Sequence, residues 1–143
     1  MMKEIHSYWE YLVLLMLAFA VVNAILGISK KREFTDKDVR IGLFTLIISH
    51  IQLLIGLGWY FMSPAYKALK VDSAAVMGNS AARLLAIEHP LMMLIALVLI
   101  TIGWSKHKKK TEDVAKFKTF ALFYGLALLL ILSRIPWSQW FQF

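Results

Sequence analysis

The chain has no cysteine in its 143 residues. Disulfides, iron–sulfur clusters, thiolate metal ligands and thioether-linked haem are therefore excluded. It is also poor in charge, with only 17% charged residues, below the share found in soluble domains. Acidic residues are the scarcer kind, nine against 16 basic ones, which leaves a net charge of +7. Nucleophile elbows, phosphate-binding loops and the HExxH zinc motif are all missing from the sequence.

What remains is apolar. Hydrophobic residues make up 59% of the chain, and they gather in four runs, at about 8–28, 39–62, 81–104 and 117–135. Each run has roughly the 20 residues that a helix needs to cross hydrocarbon. Only helices or closed barrels satisfy their backbone in lipid, and uninterrupted runs of this length mean helices. The expected fold class is all-α: an integral membrane four-helix bundle, up-down-up-down, forming a single transmembrane domain over 1–143. The triplet Ala18-Phe19-Ala20 resembles a leader cleavage site, but the apolar run continues well past it, so the first run reads as a retained helix.

The positive charge is not spread evenly. Lys30, Lys31, Arg32, Lys37 and Arg40 form one cluster, and Lys106, Lys108, Lys109, Lys110, Lys116 and Lys118 another. Both flank short loops between apolar runs, which is the positive-inside pattern rather than a nucleic-acid surface. Both loops are thus expected in the cytoplasm of a bacterium, with the bilayer as partner and no nucleic acid. Both termini and the Ser63–Ser80 loop are expected on the outer, periplasmic side of the inner membrane. Tyr8, Trp9, Tyr11, Trp59, Tyr60, Trp137 and Trp140 gather at that outer level as an interfacial belt, with Trp104 at the inner one. Helix boundaries are expected at Thr35 or Asp36, at Ser63-Pro64, at Asn79 or Ser80, and at Ile135-Pro136, where caps and prolines fall.

Helical spacing sorts the faces. His6, Glu10, Val13, Leu17, Ala20, Ala24 and Gly27 form one stripe, and Ala82, Ala86, His89, Met93, Ala96, Ile100 and Gly103 another. Small residues let helices approach closely in lipid, so these stripes are expected to face inward. On the second run Gly42, Thr45, Ser49, Gln52, Gly56, Trp59 and Ser63 form a small-and-polar stripe, and on the fourth Ala121, Gly125 and Leu128 form a weaker one.

Two histidines lie deep within these runs, His50 and His89. Burial of such groups in hydrocarbon costs several kcal/mol, which marks them as functional candidates. At ~1.5 Å per residue, His50 lies roughly 17 Å below the outer end of its helix and His89 roughly 12 Å below its own. The two imidazoles are expected to ligate one haem b iron, with Arg83 and Arg134 placed to pair with its carboxylates and Lys67 and Lys70 as weaker candidates. Pro90 removes one helical hydrogen bond and frees the carbonyl of Ala86. Glu10 and Glu88 are placed to orient an imidazole or to exchange protons with a quinol. His6 lies near the membrane edge as a third cofactor-binding candidate. His107 is expected to be solvated in its basic loop.

His50 raises a difficulty, because it points away from the small-residue stripe of its own helix. Either that stripe is a close helix contact while His50 and its leucines line the cofactor cavity, or His50 faces a second subunit in a homodimer. Two alternatives use other chemistry: a metal site or metal-dependent enzyme built from His6, Glu10, Glu88 and His89, or a non-catalytic subunit of a larger membrane complex.

Several stretches resemble a known group. They are His6-Ser7 before an aromatic-rich helix start, Gly42-Leu43-Phe44, Ser49-His50-Ile51-Gln52-Leu53-Leu54-Ile55-Gly56, Ala86-Ile87-Glu88-His89-Pro90-Leu91-Met92-Met93 and Ile135-Pro136-Trp137. Over nearly its whole length the chain resembles small bacterial four-helix membrane proteins catalogued as cytochrome b. The resemblance implies a b-type haem, electron transfer in the inner membrane and candidate ligands at His50, His89 and His6, with quinone or a redox protein as a partner. The architecture is also similar to quinol-linked cytochromes of the b561 type. Those hold two haems on four ligands, and no histidine lies in the inner half of the expected helices, so one haem is expected here.

Overall fold

A computed structural model describes residues 2–137. Four long helices dominate it. Helix α1 covers Met2–Ser29 and α2 covers Asp36–Met62. Two short helices follow, α3 (Pro64–Val71) and α4 (Ser73–Met77). The third rod starts as α5 (Ser80–Arg83), passes through a π-helical turn at Leu84–Glu88 and continues as α6 (His89–His107). The fourth is α7 (Asp113–Arg134). All four rods are long and apolar enough to cross a membrane. Helices α2, α6 and α7 run a few residues beyond the apolar stretches at the basic end, where Asp36 and Asp113 in first turns and Lys106 in a last turn complement the helix dipole, while α1 extends at its start.

The boundaries follow local chemistry. Thr35 precedes α2, and its backbone N–H donates to Asp38 Oδ2 at 2.9 Å. Ser63 closes α2 and caps α3, with Pro64 in the first turn, where its missing N–H costs nothing. Asn79 Oδ1 accepts from the N–H of Ala82 and starts the third rod. The belt residue Trp140 lies outside the described residues. Trp9 departs from the belt, since its indole N–H donates to the Ile48 carbonyl at 2.9 Å.

In cross-section α1 packs on α2 and α7, and α6 packs on the same two, so α1 sits diagonally across from α6. The faces read from periodicity are the ones buried. Glu10, Val13, Leu17, Ala20, Ala24 and Gly27 are buried on α1, and Gly42, Thr45, Ser49 and Gln52 on α2. Helix α7 departs from expectation. Its buried face is Phe117, Phe120, Tyr124, Ala127 and Ile131, and Gly125 has open space beside it. Small residues mark a close approach only when a helix brings no bulk of its own. Here the other three helices bring glycines and α7 brings the rings that fill them.

That exchange closes the basic end. A methyl group on Gly27 would lie 2.6 Å from the Phe117 ring, and one on Gly42 would lie 2.6 Å from the Phe120 ring. Tyr124 is wholly buried, and its hydroxyl donates to the Gly42 carbonyl at 2.8 Å. Asp38 is 3% exposed and accepts from Arg32 and, at 2.7 Å, from the Asn23 amide. His107 is a correction to the sequence reading: it is 3% exposed rather than solvated. The α6 helix extends to it, and its ring packs among Phe34, Trp104 and Phe120.

Tyr124→Phe deletes one buried hydrogen bond and leaves the Gly42 carbonyl with one partner fewer. A loss of about 1 kcal/mol of stability is expected, seen as a lower unfolding midpoint in detergent with the helical content of the folded state unchanged.

Candidate functional site

The bundle that is closed by rings at one end is open at the other. A cavity of about 400 Å³ runs from Lys3 and Pro136 at the histidine-bearing end down to Ile100. Its floor is ~16 Å beyond His89, measured along α6. Leu53, Leu57, Met93, Leu97 and Ile131 make much of the wall. The small-and-polar stripe of α2 lines one side through Ser49, Gln52 and Gly56.

Two histidines enter this cavity, His6 from α1 and His89 from α6. Their rings stand nearly perpendicular, at 84°, with centroids 6.2 Å apart. His89 Nδ1 is 2.8 Å from the Arg134 carbonyl at the end of α7. A carbonyl can only accept, so this nitrogen carries the proton and Nε2 holds the lone pair. His6 Nδ1 lies 3.0 Å from the Gln52 side-chain amide, which also contacts the His6 carbonyl at 2.9 Å and Glu10 Oε2 at 2.6 Å. Gly56, one turn on from Gln52, makes room for the ring: a methyl group there would lie 3.2 Å from His6 Cε1.

The backbone around His89 is shaped to match. Pro90 has no N–H to give the Ala86 carbonyl, and that carbonyl accepts from the Tyr60 hydroxyl at 2.6 Å instead. The π turn just before His89 takes up the register change, as such turns do at functional sites.

The other expected residues fall elsewhere. His50 is exposed on the outer face of α2, with Nδ1 2.8 Å from the Leu46 carbonyl, and it does not line the cavity. The structure therefore does not bring His50 and His89 into one site within a single chain; His6 takes the position opposite His89. Of the two arrangements open at the level of sequence, the small stripe of α2 faces in and the His50 face looks out. Depth alone paired His50 with His89, and depth carries no information about direction around a helix. Arg83 and Arg134 do not line the cavity either. Arg83 Nε is 2.8 Å and Arg134 Nε 3.7 Å from the Glu88 carboxylate, so both cations are engaged by a residue of this chain. Lys67 and Lys70 are exposed, and Lys3 is the cation at the cavity wall. Gln52, Tyr60 and Lys3 were not singled out from sequence. Gln52 had a signal, a carboxamide four residues before a glycine on the inward stripe of an apolar helix.

The donor set discriminates between kinds of iron or metal site. Among the described residues no three His, Cys, Asp or Glu side chains gather as a metal-holding group. A zinc site takes three or four such side chains from the protein. A haem iron brings its porphyrin nitrogens and takes only axial ligands from protein. A metal held on a line between two imidazole nitrogens at about 2 Å each sets the ring centroids about 6 Å apart, which the His6–His89 separation fits. The apolar wall fits a porphyrin equally well.

Tyr60→Phe leaves the Ala86 carbonyl without its donor in an apolar wall. A loss of about 1–3 kcal/mol is expected, measured as a lower unfolding midpoint, whereas Tyr66→Phe, whose hydroxyl has no such carbonyl to hold, should fall within about 0.5 kcal/mol of the parent.

No family model, curated protein or solved structure matches this chain.

Proposed function

We propose that the chain is a membrane-bound b-type cytochrome holding one haem b between His6 and His89. One observation carries this: two imidazoles from diagonally opposed helices meet in a large apolar cavity, with both Nδ1 atoms already in contact with protein partners. His89 is held as metal-ligating histidines are, its Nδ1–H donating to a carbonyl so that Nε2 is aimed. The expectation that His50 supplies the second ligand gives way to His6. When bound, the haem supplies a one-electron couple. The chain would hold the group through the His6 and His89 imidazoles, exclude water with the leucines and methionine of the wall, and offer the Lys3 ammonium at the mouth to a propionate.

The two basic clusters support a position in the bacterial cytoplasm for the opposite end of the bundle, by the bias of lysine and arginine toward inner loops. The haem end then faces the periplasm, where a quinol in the outer leaflet or a redox protein exchanges electrons with it. In the rival reading of a bare metal centre, Glu88 would have to leave its arginines and Glu10 its glutamine.

The reduced-minus-oxidised spectrum of protein made with haem available tests the proposal. A bis-imidazole α-band is expected. His6→Ala and His89→Ala should each abolish the low-spin signature, while His50→Ala and His107→Ala should retain it. No haem in the parent protein, or loss of the band only in His50→Ala, overturns this ligand assignment. Topology is open to direct test because the chain has no cysteine of its own. A single cysteine at Lys109 should resist an impermeant thiol reagent in intact cells, and one at Lys67 should react.

A further inference from the structure

The two proposed ligands are held by unlike partners. His89 leans on a backbone carbonyl, which no side-chain substitution at Arg134 removes. His6 leans on the side chain of Gln52, which is 8% exposed, and behind it stands Glu10, 5% exposed. The Gln52 amide nitrogen has two hydrogens but faces three acceptors within 3.0 Å. Meanwhile Gln52 Oε1 and Glu10 Oε1 are buried with no hydrogen-bond partner. Buried acceptors left this way cost about 1–3 kcal/mol each, so the pair is not there for stability alone. A half-turn of the amide exchanges its nitrogen and oxygen. It presents the orphaned oxygen to His6 Nδ1, which then donates and leaves the lone pair on Nε2; the same turn gives up the amide's bond to the His6 carbonyl and requires Glu10 Oε2 to carry a proton that it donates to the amide oxygen. Gly56 leaves the space that the His6 ring occupies.

We infer that Gln52, backed by Glu10, is the positioning residue for His6: it fixes the ring's orientation and tautomer and sets how strongly Nε2 donates to its ligand. The inference rests on the haem reading and concerns residues of this chain alone. A stronger acceptor on Nδ1–H makes Nε2 more basic and favours the oxidised iron; loss of the acceptor does the reverse.

The test is redox titration of the haem-loaded protein with Gln52→Leu and Gln52→Glu, read by optical spectra and by the low-spin electron paramagnetic resonance signal. Gln52→Leu should raise the midpoint potential and Gln52→Glu should lower it. Each shift should reach at least tenfold in the reduction equilibrium, about 59 mV for one electron. His50→Ala, outside the cavity, serves as the reference and should leave the potential in place. Opposite signs separate a positioning role from a structural one, because general loosening of the bundle would move both variants the same way. Unchanged potentials, or shifts of the same sign, overturn the inference while the parent's haem spectrum leaves the function standing. If Gln52→Leu takes up no haem, the near-isosteric Gln52→Glu decides alone. A parent protein without haem sinks the function itself, which is a different outcome and is read from the first spectrum.

Discussion

Everything at the open end of this bundle depends on the rings that close the other. Phe117, Phe120 and Tyr124 of α7 fill the space that Gly27 and Gly42 leave empty, and the Tyr124 hydroxyl ties α7 to the α2 backbone. In lipid there is no strong hydrophobic drive between helices, so association rests on close packing and a few polar contacts. With one end fixed so tightly, the four rods can diverge at the other without falling apart. The cavity is the space they leave, and it is available to a ligand because its walls need not also hold the molecule together.

The open end shows how polar groups are accommodated when little water is near. Each conspicuous one has been given a partner from another element. Tyr60 covers the carbonyl that Pro90 strands, Arg134 offers its carbonyl to His89, and Arg83 with Arg134 flanks Glu88. Ion pairs of this partly exposed kind add little stability, but they keep Glu88 out of the cavity and leave its wall apolar. Glu10 and Gln52 meet each other but keep one buried oxygen apiece without a partner, and it is at an exception of this sort that function is expected.

Much of the architecture was legible in the sequence. Four apolar runs gave four rods, and the spacing of Glu10, Val13, Leu17, Ala20, Ala24 and Gly27 named the buried face of α1 residue by residue. The site was legible in part. His89 was found from its stripe, and the carbonyl freed by Pro90 was foreseen, though not that Tyr60 would take it. His50 lies outside the cavity of this chain: an ionisable residue in hydrocarbon announces cost without announcing direction, and its periodicity points away from the small-residue stripe of its helix. His6 was undervalued because the apolar run begins at Tyr8, whereas α1 begins at Met2 and carries His6 into the bundle. The α7 face and His107 were missed for a shared reason: which element supplies bulk and which supplies space is settled only between helices, never within one.

The bond from His89 to the Arg134 carbonyl has a consequence for the order of assembly. It joins a residue in the third rod to the last helical residue of the fourth. During synthesis the first three rods can enter the membrane and meet, yet the imidazole of His89 has nothing to fix its proton until α7 is complete. The pair that looks like a product of α1 and α6 is therefore finished by neither. It is latched from outside, by the end of α7, so a chain that stopped before α7 would carry both histidines and still lack this contact.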